Sequence, residues 1–278
     1  MKYNIRMDTT VTLPPFQTLI KDAIASYRSQ FATFTGILAV PALLSLASLF
    51  VPESYEMGVT ILSVIVGGLG YLALLIFVAR EASGPAASYT QALSIVLPFV
   101  WMGVLSFMAV IGGAVFLILP GIYLSVLLSF SSYVFIAEKL RGLNALATSW
   151  YYVKGMWLAV ALRVFCFAIL TAFGGIILGA VAAVIPVDSS LMIQQPFSTT
   201  LVSPVEAVVN LVWEMLIVLP LSVSYTYALY TSLRTQKPTA SSDEMTKITR
   251  YLKIALAIGC AATLVLLFVL PSFLGWQP

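Results

Sequence analysis

The chain has 278 residues, 60% of them hydrophobic and only 9% charged, with a net charge of +3. Its mean hydropathy of +1.02 excludes an ordinary soluble fold, in which about a quarter of residues are charged. A bilayer must serve as solvent, so backbone polar groups must be satisfied within helices or a closed barrel.

The apolar runs are continuous and about 20 residues long, without the alternation of barrel strands. The fold class is therefore all-α, a polytopic helical membrane bundle. There is no histidine, which removes the commonest general base and the commonest metal ligand together. Cys166 and Cys260 each lie inside an apolar run and read as small core residues, not as a disulfide framework. No nucleotide-binding loop, paired-carboxylate metal site or serine–base arrangement stands out. The expectation is a protein with no enzymatic activity, no cofactor, no metal and no nucleic-acid partner.

Residues 1–12 are polar and read as a flexible N-terminus. Polar and charged groups up to Gln30 occupy the place of a signal peptide's apolar core, so no secretory signal is expected. Phe16, Leu19, Ile20, Ala23, Ile24, Tyr27 and Phe31 recur at helical spacing behind Pro14 and Pro15. Gln17, Lys21, Asp22 and Arg28 lie opposite, which predicts an amphipathic interface helix. The first span covers residues 32–50 and contains Pro41. The second covers 58–79, with Gly67, Gly68 and Gly70 as a small-residue face for close helix contact.

After a polar break at 81–90 a third span reaches Leu119, with Gly103, Gly112 and Gly113 as packing notches. Pro120 and Gly121 read as a tight hairpin turn at the membrane surface, since Pro stops one helix and Gly tolerates the turn. A fourth span follows at 122–137. Leu143, Leu146, Ala147, Trp150 and Val153 then form a second amphipathic stripe, with Asn144, Thr148 and Tyr152 on its other side. The fifth span runs from 156 to 185 with Gly174, Gly175 and Gly179, and the sixth from 205 to 230. Together, residues 13–234 make a six-span domain with interface helices. A polar cytoplasmic linker at 235–247 leads to a seventh, C-terminal transmembrane helix within 248–278.

Charge placement sets the orientation. With Met1 cytoplasmic, the cytoplasmic segments collect 13 of the 14 basic residues, and the opposite loops hold none. The remaining one, Arg163, lies inside the fifth span. The positive-inside rule gives a multi-pass protein of the cytoplasmic membrane, N-terminus inside and, with seven spans, C-terminus outside. The first six spans also group as three units beginning near Phe16, Ala86 and Leu143, each an interface segment followed by an out-and-back hairpin.

Pro120-Gly121, a helix ending at Glu138, Ala145-Leu146 with Ser149, and the restart Val153-Lys154-Gly155 form a recognisable series. With Leu229-Tyr230 and Leu233-Arg234 closing the sixth helix, the series resembles the membrane domain of the glycerophosphoryl diester phosphodiesterase family and related multi-pass bacterial membrane proteins. The resemblance covers residues 16–234. It implies the membrane half alone, because the family's hydrolytic activity resides in a separate soluble barrel that carries histidines, and these 278 residues hold none.

Two groups of residues are candidates for function. Glu138, Lys139, Arg141 and Lys154 form a charged cytoplasmic belt beside Trp150 and Trp157. Such a belt suits anionic lipid headgroups or a membrane or cytosolic protein partner, or serves simply as a topology signal. Glu214, near mid-membrane in the sixth span, and Arg163, about 10 Å into the fifth at the helical rise, are the ionisable groups within spans. Arg163 can snorkel, whereas Glu214 must be paired, hydrated or protonated. A direct pair between them would require both side chains to reach along the membrane normal. The leading expectation is a structural or lipid-interacting membrane module. The alternative is a transporter or lipid translocator with a mid-membrane site at Glu214 and Arg163.

Overall fold

The computed structural model describes residues 13–48, 51–115, 118–186, 193–194, 201–237 and 240–265. The sequence is read as helix almost throughout, and it folds so. Helix α1 (Phe16–Ser29) runs into α2 (Phe31–Ser48) with only Gln30 between them, and α3 (Glu53–Val78) returns alongside α2. Next come α4 (Pro85–Ala114), α5 (Ile118–Leu128), α6 (Ser131–Ala137), α7 (Leu143–Val153) and α8 (Trp157–Ala183). Beyond a two-residue antiparallel pair, Ile193–Gln194 with Leu201–Val202, lies α9 (Pro204–Leu211). It passes through a π-helical segment, Val212–Val218, into α10 (Leu219–Gln236), and α11 (Ser242–Leu264) follows.

Among the described residues, six helical stretches are long and apolar enough to cross a membrane: 31–48, 57–78, 85–114, 118–137, 157–183 and 204–236. The protein is a multi-pass helical bundle. Helix α8 shows why it needs a bilayer. Of its 27 residues only Val160 and Ala182 are buried, while Phe165, Leu170, Phe173 and Ile176 stand exposed. In water that face would drive aggregation, but acyl chains solvate it.

The buried centre comes from the returning helix of each sequence unit. Leu72 to Val78 of α3 are all buried, as are Tyr133 to Ile136 of α6 and Val223, Tyr225, Leu229, Tyr230 and Leu233 of α10. Tyr133 ties two of them together, donating to the Val223 carbonyl at 3.1 Å and stacking on Tyr230. Two of these helices end alike. Arg80 and Lys139, each just past a helix C-cap, take left-handed backbone conformations with φ of 61° and 57°. At Arg80 the full double cap forms: its N–H bonds the Phe77 carbonyl and that of Glu81 bonds Ile76. A cation there also meets the negative end of the helix dipole.

The amphipathic segments pack in rotation. Helix α1 of the first unit lies on α10 of the third, and Tyr27 donates to the Leu216 carbonyl at 2.6 Å. The start of α4, in the second unit, packs on α2 and α3 of the first, with Tyr89 donating to the Ile37 carbonyl at 2.6 Å. Helix α7 of the third unit packs on α5 and α6 of the second. There Ser149 Oγ donates to the Leu127 carbonyl at 2.8 Å and accepts from the Phe130 N–H at 3.2 Å. Ser149 thus serves backbone groups at the break between α5 and α6. Each unit covers its neighbour, and the grouping into three units carries through to the packing.

Several details differ from the sequence reading. Pro120 and Gly121 lie inside the first turn of α5, not in a hairpin turn. Proline is tolerated there because a first-turn N–H has no intrahelical partner to lose. Gly121 instead lets α5 approach Ala114. The fourth span is broken at Ser129 and Phe130, and Pro41 sits within an unbroken α2. Cys166 and Cys260 are exposed, not core residues. Gly67, Gly68 and Gly103 face open space, whereas Gly70, Gly113, Gly174 and Gly175 meet side chains of neighbouring helices.

The linker expected at 235–247 is mostly helix, since α10 runs to Gln236 and α11 begins at Ser242. Ser241 caps α11 by accepting the Glu244 N–H at 3.3 Å. Helix α11 packs along α4 and α7 and is not among the six span-length helices. Its contact with α4 is backbone on backbone. A Cβ at Gly112 would collide with the Ala255 carbonyl, and one at Gly259 with that of Met108. The flexible N-terminus at 1–12 and the end of the expected seventh span, past Val265, lie outside the described residues.

Candidate functional site

The charged residues of three separate connecting segments converge at one end of the bundle. Glu138 is the C-cap of α6, and its side chain is only 15% exposed. Its Oε1 accepts the phenolic O–H of Tyr230 at 2.7 Å and of Tyr152 at 2.9 Å, and Arg234 Nε lies 3.6 Å away. Tyr230 and Arg234 are four residues apart on α10 and so share one face. The fully buried Tyr230 ring, stacked on Phe130 and Tyr133, fixes where that face points. Burying a carboxylate is costly unless it is paired and hydrogen-bonded, and here two phenols and a guanidinium meet that condition. Burial, and then the bond to Glu138, push the Tyr152 phenol up to about 12, so it remains a proton donor at neutral pH.

Past the end of α10, Lys237 Nζ donates to the carbonyls of Tyr151 and Lys154 and lies 5.0 Å over the Tyr151 ring. A cation at these last carbonyls of α7 matches the negative end of that helix. Burial pulls the Lys237 amine below its ordinary value. Lys154 pairs with Glu244 at 2.9 Å on the exposed rim. The bond raises the lysine and lowers the glutamate from their usual values. Between these groups lies a cavity of about 430 Å³ lined by Glu138, Thr148, Tyr152, Arg234, Lys237 and Met245.

The remaining belt residues sit around this end. Lys139 pairs with Glu81 at 3.5 Å, and the Arg141 guanidinium lies 4.4 Å over the Phe135 ring. Trp150 is half-buried against the core, and Trp157 meets the edge of Tyr123 with ring centres 5.4 Å apart. Of the belt residues, Glu138 lines the cavity, and Lys154 joins it through its carbonyl, which accepts from Lys237. Lys139, Arg141, Trp150 and Trp157 each have separate partners. Tyr152, Tyr230, Arg234, Lys237 and Glu244 complete the network and were not singled out as site residues from the sequence. Two signals point to them: the i, i+4 spacing of Tyr230 and Arg234, and the Ser-x-x-Glu pattern at 241–244.

The structure does not bring Arg163 and Glu214 together. Arg163 is half-buried and donates to three carbonyls: Ala159 at 2.9 Å, Pro14 at 3.0 Å and Leu13 at 3.1 Å. Its own carbonyl accepts the Tyr225 O–H at 3.0 Å. Arg163 therefore fastens the entry to α1 onto α8. Glu214 lies in the π-helical segment, is exposed, and makes no hydrogen bond or ion pair among the described residues. No protein-family model matches the chain, and neither a curated protein nor a solved structure does.

Proposed function

We propose that the chain is a non-enzymatic module of the cytoplasmic membrane, its N-terminus inside, that engages membrane lipids through the charged end of the bundle. One observation carries this: Glu138, Arg234 and Lys237 line one cavity, and the ion pairs Lys139–Glu81 and Lys154–Glu244 tie the neighbouring connecting segments together. Those segments are the ones the positive-inside rule assigns to the cytoplasm, where anionic headgroups attract cations. An apolar groove of about 390 Å³ between α5 and α8 suits an acyl chain. The likeness to the glycerophosphoryl diester phosphodiesterase membrane domain belongs to the same proposal and names no activity. Lipid extracted from the detergent-purified protein should be enriched in anionic headgroups relative to the membrane it came from. A composition equal to that of the bulk membrane would count against the proposal.

A second reading, transport or lipid translocation, is favoured by one observation: an exposed carboxylate, Glu214, in a π-helical stretch of a membrane-length helix. It predicts pH-dependent flux in proteoliposomes that Glu214→Gln abolishes.

A further inference from the structure

We propose that the cavity between α6, α7 and α10 is a phosphate-binding site, taking the phosphate of a lipid headgroup or an equivalent free phosphate. The inference rests on the lipid-engaging reading and names the group that is recognised. Its first support is the balance of charge. Among the residues that line it, Arg234 and Lys237 stand against one carboxylate, Glu138, so cations are in excess.

Its second support is the balance of hydrogen-bonding capacity. The Oε1 of Glu138 is already taken by two phenols, whereas Lys237 has three N–H donors and uses two of them on carbonyls. Arg234 is half exposed, its Nε stands 3.6 Å from Glu138, beyond hydrogen-bond length, and it hydrogen-bonds the Tyr152 phenol, which leaves further donors of its planar fork to give. Thr148 adds a hydroxyl to the lining. Surplus donors around a cavity of about 430 Å³ fit a tetrahedral oxyanion, for which arginine and lysine are the usual partners. Glu138 then acts as a positioning residue. It holds Arg234 and the two tyrosines at the cavity wall.

The test is native mass spectrometry of the purified full chain with phosphatidic acid, or with diacylglycerol of the same tails. Wild type should retain phosphatidic acid in preference to diacylglycerol. The R234Q/K237Q double variant should bind it roughly tenfold to a hundredfold more weakly, the loss expected for charge-assisted hydrogen bonds. The charge-preserving R234K/K237R variant should recover part of the binding. Displacement by inorganic phosphate would keep the phosphate site and make a soluble phosphate its occupant. Equal retention of diacylglycerol by wild type would overturn the phosphate inference and leave lipid engagement standing, whereas undiminished binding by a folded double variant would overturn the phosphate inference together with lipid engagement at this end of the bundle. Retention of no lipid and no inorganic phosphate would overturn both. Should the double variant fail to fold, the phosphatidic acid and diacylglycerol comparison on wild type still decides.

Discussion

Glu138 and Glu214 are both carboxylates at membrane-length helices, and the molecule treats them in opposite ways. Glu138 is nearly buried and held by Tyr152, Tyr230 and Arg234. Glu214 is exposed on a π-helical turn and has no partner among the described residues. The contrast teaches that depth in the sequence is a poor guide to where charge matters. A carboxylate at a helix end is built into the fold because aromatic and basic residues of two other segments reach it. A carboxylate in mid-span keeps its desolvation cost unless something outside this set of residues meets it.

The contrast can be broken most sharply at Glu138. Glu138→Ala leaves two phenols without their acceptor and a guanidinium without its ion-pair partner, and should destabilise the bundle by about 3 kcal/mol. Thermal unfolding in detergent would measure this, and a loss under about 0.5 kcal/mol would mean the network is ornamental. Ser149→Ala removes the buried hydroxyl that serves Leu127 and Phe130 at the α5–α6 break. It should cost about 2 kcal/mol, less if a water replaces the hydroxyl.

Gly112→Ala places a methyl group against the Ala255 carbonyl and should cost about 1–3 kcal/mol. Limited proteolysis should then cut at the α10–α11 connection faster than in wild type. The exposed Lys154–Glu244 pair has a smaller effect. Because the folded protein lowers the Glu244 carboxyl, that contribution is present above 4.5 and fades as pH falls through the lowered value. Because it raises the Lys154 amine, that contribution is present below 10.5 and fades as pH rises through the raised value. Unfolding temperatures of wild type and Glu244→Gln should therefore differ slightly near neutral pH and converge in acid. Glu214→Gln completes the series with a change within about 0.5 kcal/mol. A loss of about 2 kcal/mol would reveal a partner that the contrast omits.

The bundle was legible because apolar runs of span length leave a bilayer protein few alternatives. The interface helices were legible from the 3.6-residue recurrence at Phe16 to Phe31 and at Leu143 to Val153. Packing partners were not, since periodicity says which face is apolar and not what covers it. Gly67 and Gly112 look alike in sequence, yet only Gly112 meets another backbone. Pro120-Gly121 misled because proline marks the start of a helix as readily as the end of one. Glu138 stood out as the acid ending an apolar helix. Its partner Tyr230 did not, because an aromatic near a span terminus reads first as an interface anchor. A pair of Arg163 and Glu214 follows only from their lying on consecutive antiparallel spans and needs both side chains to reach along the membrane normal, while in the structure Arg163 spends its donors on backbone carbonyls.

The most direct measurement is lipid retention by native mass spectrometry in mild detergent, comparing wild type, Glu214→Gln and Arg234→Gln/Lys237→Gln. If the charged end of the bundle is where lipid is engaged, wild type and Glu214→Gln retain lipid alike and the double variant loses it. Loss of lipid in Glu214→Gln with full retention in the double variant would contradict this and place the working site at mid-membrane.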